Sequence, residues 1–205
     1  MNTRIIVGLA LLAFVSNPPQ SQDRGGFPDS HAFLNAQLTT RPTGKSPQDI
    51  DQRVRDLLGR MTLKEKIGQM TQLEIGMVTD GVDRAIKINP AKLKKAIGEY
   101  GVGSILNVKD EALPLAQWHE IIKAIQAEAA QTRLKIPVVY GLDTIHGANY
   151  IAGATLFPQP LGMAATWNPQ LALAGAHIAA VETRAAGIPW NFSPVLDIGR
   201  QPLWP

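Results

Sequence analysis

Two short stretches concentrate residue types that bind or transform polar substrates. The first, Gly141-Leu142-Asp143-Thr144-Ile145-His146-Gly147, follows the apolar run Ile136–Tyr140. The second, Asp197-Ile198-Gly199-Arg200, follows Trp190–Leu196, with Trp204 shortly after. If both runs are parallel strands, these groups stand at strand C-terminal ends, where α/β folds place their chemistry. A carboxylate such as Asp143, between glycines, can accept two charge-assisted hydrogen bonds from adjacent sugar hydroxyls. The same residue can equally cap its own loop by bonding nearby amides. His146 is a candidate acid, base or ligand, but a lone imidazole three residues after an Asp makes no metal set, and it reads as packed and hydrogen-bonded. Asp197 and Arg200 read first as an ion pair or loop anchor and only second as substrate contacts. Trp204, in a loop past a strand end, can stack on a sugar ring.

These side chains need elements to hold them, and the sequence supplies helices most clearly. From Pro47, the positions Val54, Leu57, Leu58 and Met61 follow the stripe of an amphipathic helix. Thr62 and Glu65 have the spacing of a capping box that starts a new helix at Leu63, with Ile67 and Met70 on its face. Leu115, Trp118, Ile122, Ile125 and Ala129 mark one face of a long helix with Pro114 in its first turn, which makes Trp118 a core residue. Asn168-Pro169 is an N-cap followed by proline at the first helical position, opening an Ala-rich helix to about Ala186 with Gly187 as its stop. Glu182 and Arg184 on that helix read as structural, and Trp167 as seating the turn before it. Between the helices, Val102–Val108, Ile136–Tyr140 and Trp190–Leu196 are short apolar runs without strict alternation. Such runs predict parallel strands covered by helices, an α/β fold. The pattern alone leaves open a doubly wound sheet or a barrel.

Composition narrows the chemistry. The 205 residues contain no cysteine, which removes disulfides, thiolate metal sites and thiol nucleophiles. No Gly-x-Gly-x-x-Gly follows a strand, so a dinucleotide site has no support. Net charge is +3, and the one dense basic cluster, Lys92, Lys94 and Lys95, lies in a helical stretch without interleaved aromatics. It predicts a solvated helix face and no nucleic-acid partner. Residues 1–22 read as a signal peptide: Arg4 precedes the eleven-residue apolar run Ile5–Val15, and Pro18 and Pro19 break it. The run is too short to span a bilayer, so a secreted or periplasmic protein with no membrane contact after cleavage is expected. Residues 23–46 are polar and Gly/Pro-dotted and read as an extended arm. The remainder, 47–205, is short of the roughly 250 residues of a complete (β/α)8 barrel.

Several ordered blocks resemble glycoside hydrolase family 3, in its β-glucosidase branch. They begin with Arg53–Met61 and Thr62-Leu63-Lys64-Glu65-Lys66-Ile67-Gly68-Gln69-Met70, then Gly101-Val102-Gly103-Ser104. Tyr140-Gly141-Leu142-Asp143-x-x-His146-Gly147, Phe157-Pro158 and Gly162-Met163-Ala164-Ala165-Thr166-Trp167-Asn168 follow. Glu182-Thr183-Arg184-Ala185-x-Gly187-Ile188 and Phe192-Ser193-Pro194-Val195-Leu196-Asp197 complete the set. The Gly-Leu-Asp-x-x-His-Gly block separates it from the family's β-N-acetylhexosaminidases, which usually carry an Asp-Gln-Glu-Gly-Gly-like segment there. The resemblance implies a retaining exo-β-glucosidase acting on terminal β-D-glucosyl residues, with no cofactor and no metal. Residues 47–205 would be the N-terminal part of a (β/α)8 TIM-like barrel, truncated. Asp143 would hold hydroxyls of the non-reducing sugar, with His146, Asp197, Arg200 and Trp204 as pocket support. The family's nucleophilic Asp, its acid/base Glu and its Trp-x-Arg arginine would fall after Pro205, and the piece alone is expected to be inactive. A non-catalytic carbohydrate-binding or scaffold fragment, or a β-xylosidase, is the alternative expectation.

Overall fold

The computed structural model describes residues 47–109 and 111–196; the signal and arm readings, and Asp197, Arg200 and Trp204, lie outside them. The described residues open with helix α1 (Pro47–Arg60) and helix α2 (Leu63–Gln69), followed by strand β1 (Gln72–Glu74). A small antiparallel hairpin comes next, β2 (Thr79–Asp80) and β3 (Lys87–Ile88), then helix α3 (Pro90–Leu93), whose next turns, Lys94–Glu99, widen to a π-helix. Strand β4 (Ser104–Leu106), helix α4 (Leu115–Ala129) and strand β5 (Val139–Leu142) follow. Helices α5 (Pro160–Ala164) and α6 (Pro169–Ala185) lead to strand β6 (Trp190–Asn191). Among the described residues no helix is long and apolar enough to cross a membrane.

The main sheet runs β1-β4-β5-β6, all parallel, in chain order without reversal. A doubly wound sheet reverses at a switch point and carries helices on both faces. Among the described residues helices cover one face only. Ile105, Tyr140 and Leu142 share a face and are fully buried against the helical layer, whose contribution includes Trp118 and Ile125. The opposite face shows Gln72, Glu74, Val139 and Trp190 to solvent. One-sided coverage and unreversed order are the arrangement of a barrel wall, which answers the choice the sequence pattern leaves open.

Trp118 and Tyr140 meet edge to face at 5.6 Å between ring centres, and both polar tips are satisfied. Trp118 Nε1 donates to the Tyr150 carbonyl at 3.0 Å, and the Tyr140 hydroxyl donates to the Asn107 carbonyl at 2.6 Å. Burial, with the charge of Glu74 as a lesser cause, pushes the Tyr140 phenol well above its ordinary range. It therefore remains a donor.

The helix signals appear as expected. Thr62 Oγ1 accepts from the Glu65 amide at 3.2 Å, and the Glu65 carboxylate takes the Thr62 amide at 2.8 Å. Asn168 caps α6, and Gly187, at φ +84°, ends its C-terminal turn in a conformation that suits glycine. The strands depart from expectation. The runs Val102–Val108, Ile136–Tyr140 and Trp190–Leu196 shrink or shift to 104–106, 139–142 and 190–191. Pro137 and Pro194 have no N–H to give a ladder, and Lys135 and Asn107 take positive φ values at strand flanks. β1 and the hairpin carry no readable period and are absent from the sequence reading. The α1 stripe is helical up to Arg60, with Met61 just past its end, and is only partly covered: Leu57 and Met61 are half-buried while Val54 and Leu58 remain about half exposed. Trp167 is 92% exposed, so it does not seat the turn; Asn168 Oδ1 does so by accepting from the Gln170 and Leu171 amides. Pro114 sits at the N-cap of α4, one position before the helix.

Glu65 also receives Arg133, through Nε at 3.0 Å and a terminal nitrogen at 2.6 Å, and Arg133 donates in addition to the Arg60 carbonyl. These bonds, the Arg133 pair first and the Thr62 amide next, hold the Glu65 carboxyl at about 2, below its ordinary 4.5. A carboxyl depressed on folding stabilises the fold above its unfolded pKa and loses that contribution as pH falls through its folded one. Glu65→Gln is therefore expected to lower Tm at neutral pH. The gap to wild type should close as pH falls from about 4.5 to about 2 in a thermal-melt series.

Candidate functional site

The C-terminal ends of the four parallel strands form one rim. Glu74 ends β1, Asn107 follows β4, Asp143 and Thr144 follow β5, and Phe192 and Ser193 follow β6. Three of them are set there by identifiable contacts. The Glu74 carboxylate turns back to accept the Gly76 amide at 2.8 Å, starting the short 3-10 turn Ile75–Met77. Asn107 leaves its strand at φ +61°, with its carbonyl taken by Tyr140. Ser193 is turned by its own amide donating to Asn191 Oδ1 at 2.8 Å.

Asp143 continues the alternation of Val139 and Gly141 one step past β5, on the side of the sheet that helices leave bare. It is half-buried and makes no hydrogen bond or ion pair with any described residue. Its carboxylate does not bond the amides of its own loop, as a capping Asp would. A partly dehydrated, unpaired carboxylate at a strand C-terminus retains its full capacity to accept from hydroxyls.

The loop after Asp143 is held at several points. The His146 Nδ1 lies 3.1 Å from the Phe157 carbonyl, which can only accept, so Nδ1 carries a proton. The Phe157 amide donates back to the His146 carbonyl at 2.8 Å, and Gly147 bridges Leu156. Glu182 on α6 accepts from the Thr155 amide at 3.0 Å and from its hydroxyl at 2.9 Å. Glu182 thus clamps the far end of the loop that begins with Asp143.

Three polar atoms on or beside this rim are buried without partners: Asn107 Oδ1, Thr144 Oγ1 and Ser193 Oγ. The sequence reading omitted all three. Adjacency to Asp143 was the only available signal for Thr144; nothing marked Asn107 or Ser193. Orphaned buried polar atoms call for a partner. Thr144, His146 and Ser193 also line an apolar groove of about 720 Å³ walled by Phe157, Met163 and Trp167. Asp143 is outside that lining and faces the bare side of the sheet. Among the described residues no group of three His, Cys, Asp or Glu could hold a metal ion.

The sequence model described as glycosyl hydrolase family 3 N terminal domain matches residues 62–205. Among curated relatives, the lysosomal beta glucosidase of Dictyostelium discoideum is 42% identical over 163 residues, covering 75% of this chain and 20% of that protein. Beta-glucosidase C of Emericella nidulans is 33% identical, covering 94% and 29%. The periplasmic beta-glucosidase of Salmonella typhimurium is 30% identical, covering 78% and 18%. Among solved structures, a glycoside hydrolase family 3 beta-N-acetylglucosaminidase from Paenibacillus matches with TM-score 0.57 and 29% identity, over 69% of this chain and 26% of that one. Beta-glucosidase from Listeria innocua in complex with isofagomine matches with TM-score 0.52 and 30% identity, over 72% and 18%. The chain thus spans less than a third of the length of each relative.

The Glu182 clamp makes a direct prediction about the loop. Glu182→Ala should cost about 1–2 kcal/mol of stability, as expected for lost charge-assisted bonds. Hydrogen–deuterium exchange should show the Thr155 and Phe157 amides losing protection while those of α4 keep theirs.

Proposed function

The chain belongs to glycosyl hydrolase family 3, and from that premise we propose that it forms part of the sugar-binding barrel of a retaining exo-β-glucosidase. The carrying observation is Asp143: a half-buried carboxylate, without a described partner, at the C-terminal end of an interior strand. Its two oxygens accept from neighbouring hydroxyls of the terminal glucosyl unit. Such bonds fix the ring against a barrel wall and strengthen as it distorts towards an oxocarbenium-like state. Retention needs two further carboxyls about 5–5.5 Å apart across the scissile bond. Asp143 is not one of them in this reading; it binds, and other segments of the whole enzyme attack and protonate. Glu74 is occupied by its own turn.

The glucoside preference rests on the Gly-Leu-Asp-x-x-His-Gly block and on the three β-glucosidase relatives. The Paenibacillus neighbour, a beta-N-acetylglucosaminidase, has the same fold with another sugar, so the fold supports the family and the block supports the substrate. His146, with its Nδ1 bonded to the Phe157 carbonyl, supports the pocket wall. Asp197, Arg200 and Trp204 remain proposed pocket residues on the same grounds as in the sequence. Residues 1–22 are proposed as a secretion signal, 23–46 as an arm and 47–205 as barrel domain; the periplasmic relative supports export.

The test is hydrolysis of aryl β-D-glucosides and aryl β-D-xylosides by the whole protein. Asp143→Ala should lower kcat/KM for the glucoside by on the order of 100-fold, equivalent to about 3 kcal/mol of lost charged hydrogen bonds. Xyloside turnover exceeding glucoside turnover would move the assignment to a β-xylosidase. A whole protein that binds glucosides without hydrolysing them would make it a carbohydrate-binding module.

A further inference from the structure

Two costs meet at Asn107. Its backbone takes φ +61°, in the left-handed region that favours glycine, and its Oδ1 is buried without a partner. Glycine at this position would avoid both, so the fold alone gives no reason for a carboxamide here. The backbone is nevertheless held at both ends. The Asn107 amide donates to the Gly141 carbonyl at 2.9 Å, and the Asn107 carbonyl receives the buried Tyr140 hydroxyl at 2.6 Å. Among the described residues, only the side chain is left uncommitted.

Position decides what that side chain can serve. Strand β4 lies beside β5, and the bond to Gly141 sets Asn107 on the strand exit next to that of Asp143. Thr144 and Ser193, the other rim residues with unpartnered buried oxygens, line the α5–α6 groove, whereas Asn107 and Asp143 are both outside it. The two groups are chemically complementary. An ionised carboxylate only accepts, so Asp143 can take the protons of sugar hydroxyls but gives nothing to their oxygens. A carboxamide carries two N–H donors as well as an acceptor. Asn107 is half-buried with Oδ1 turned inward, so Nδ2 is the end left to face a ligand.

Resting on the reading of Asp143 as the glycone-binding carboxylate, we propose that Asn107 is a second sugar-binding residue of the same site. Its Nδ2 donates to the oxygen of a glucosyl hydroxyl whose proton Asp143 accepts. That hydroxyl is then held as donor and acceptor at once, which fixes the direction of its O–H bond. A site built this way rejects a sugar that lacks the hydroxyl, because its polar groups are left unpaired.

The test uses the whole protein with an aryl β-D-glucoside and its monodeoxy analogues, each lacking one ring hydroxyl. Asn107→Gly suits the backbone conformation and should lower kcat/KM for the glucoside by about 10-fold, the loss of one neutral hydrogen bond. Against one of the analogues it should match the wild type, and Asp143→Ala should lose less on that same analogue than on the glucoside. Asn107→Asp replaces the donor with a second acceptor and should lose more than Asn107→Gly. Being of the same shape, it carries the comparison if the glycine variant does not fold. Tm of Asn107→Gly should stay at the wild-type value, since a purely structural role would lower it and weaken every substrate alike. An Asp143-dependent glucosidase indifferent to Asn107→Gly overturns this assignment and leaves the function standing, as does an equal loss on the glucoside and all analogues. A protein without glucosidase activity overturns the function, and D-glucose binding by calorimetry then decides Asn107 separately. Weaker binding by Asn107→Gly upholds it, and equal binding or none overturns it.

Discussion

The contact on which the rest depends is the Tyr140 side chain, buried between a helix and the end of a neighbouring strand. Its ring is held edge-on by Trp118 of α4, and its hydroxyl is bonded to the Asn107 carbonyl just past β4. One residue thus ties together β5, the helix before it and the strand beside it. Burial disfavours its phenolate, so the hydroxyl keeps the proton it donates to Asn107. Asp143 stands three residues further along the same backbone. The position of the candidate binding carboxylate follows from an aromatic packing decision made inside the core.

From that anchor the architecture divides the work between two faces. The helical face is dry and carries the stability, with Ile105, Leu142, Ile125 and Leu113 all fully buried. The other face is polar at one end and apolar at the other, with Gln72 and Glu74 on one edge strand and Trp190 on the other. The β5–α5 loop is fastened to α6 by Glu182 and to itself by His146, leaving the Asp143 carboxylate unpaired. A rigid frame around an uncommitted acceptor is what polar-ligand recognition requires, since ordering costs are met before the ligand arrives.

How much of this was legible in the sequence depends on where the information lies. Helix ends were readable because capping is local: Thr62 with Glu65, Asn168 with Pro169, and Gly187 each state their role within a few residues. Strands of two to four residues have no room for a period, so β1, with one apolar residue among three, was invisible, and the others were drawn too long. Asp143 was found because an apolar run ending in glycine marks a strand exit. Asn107 was not, because its place on the rim depends on a tyrosine 33 positions away. Glu182 read as structural, but the loop it fastens could not be named until the fold brought Thr155 to it.

The ring of Phe192 lies where a Cβ on Gly141 would have to be, and it packs edge to face on Trp190 at 4.8 Å. Neither residue can change size alone. A methyl group at 141 would push the aromatic ring off the strand, and a smaller side chain at 192 would leave a hole over the glycine. The two positions are 51 residues apart, one on β5 and one just past β6, yet each sets the room left to the other. An alanine at 141 is therefore tolerated only together with a smaller residue at 192, so the two positions vary as a pair or not at all.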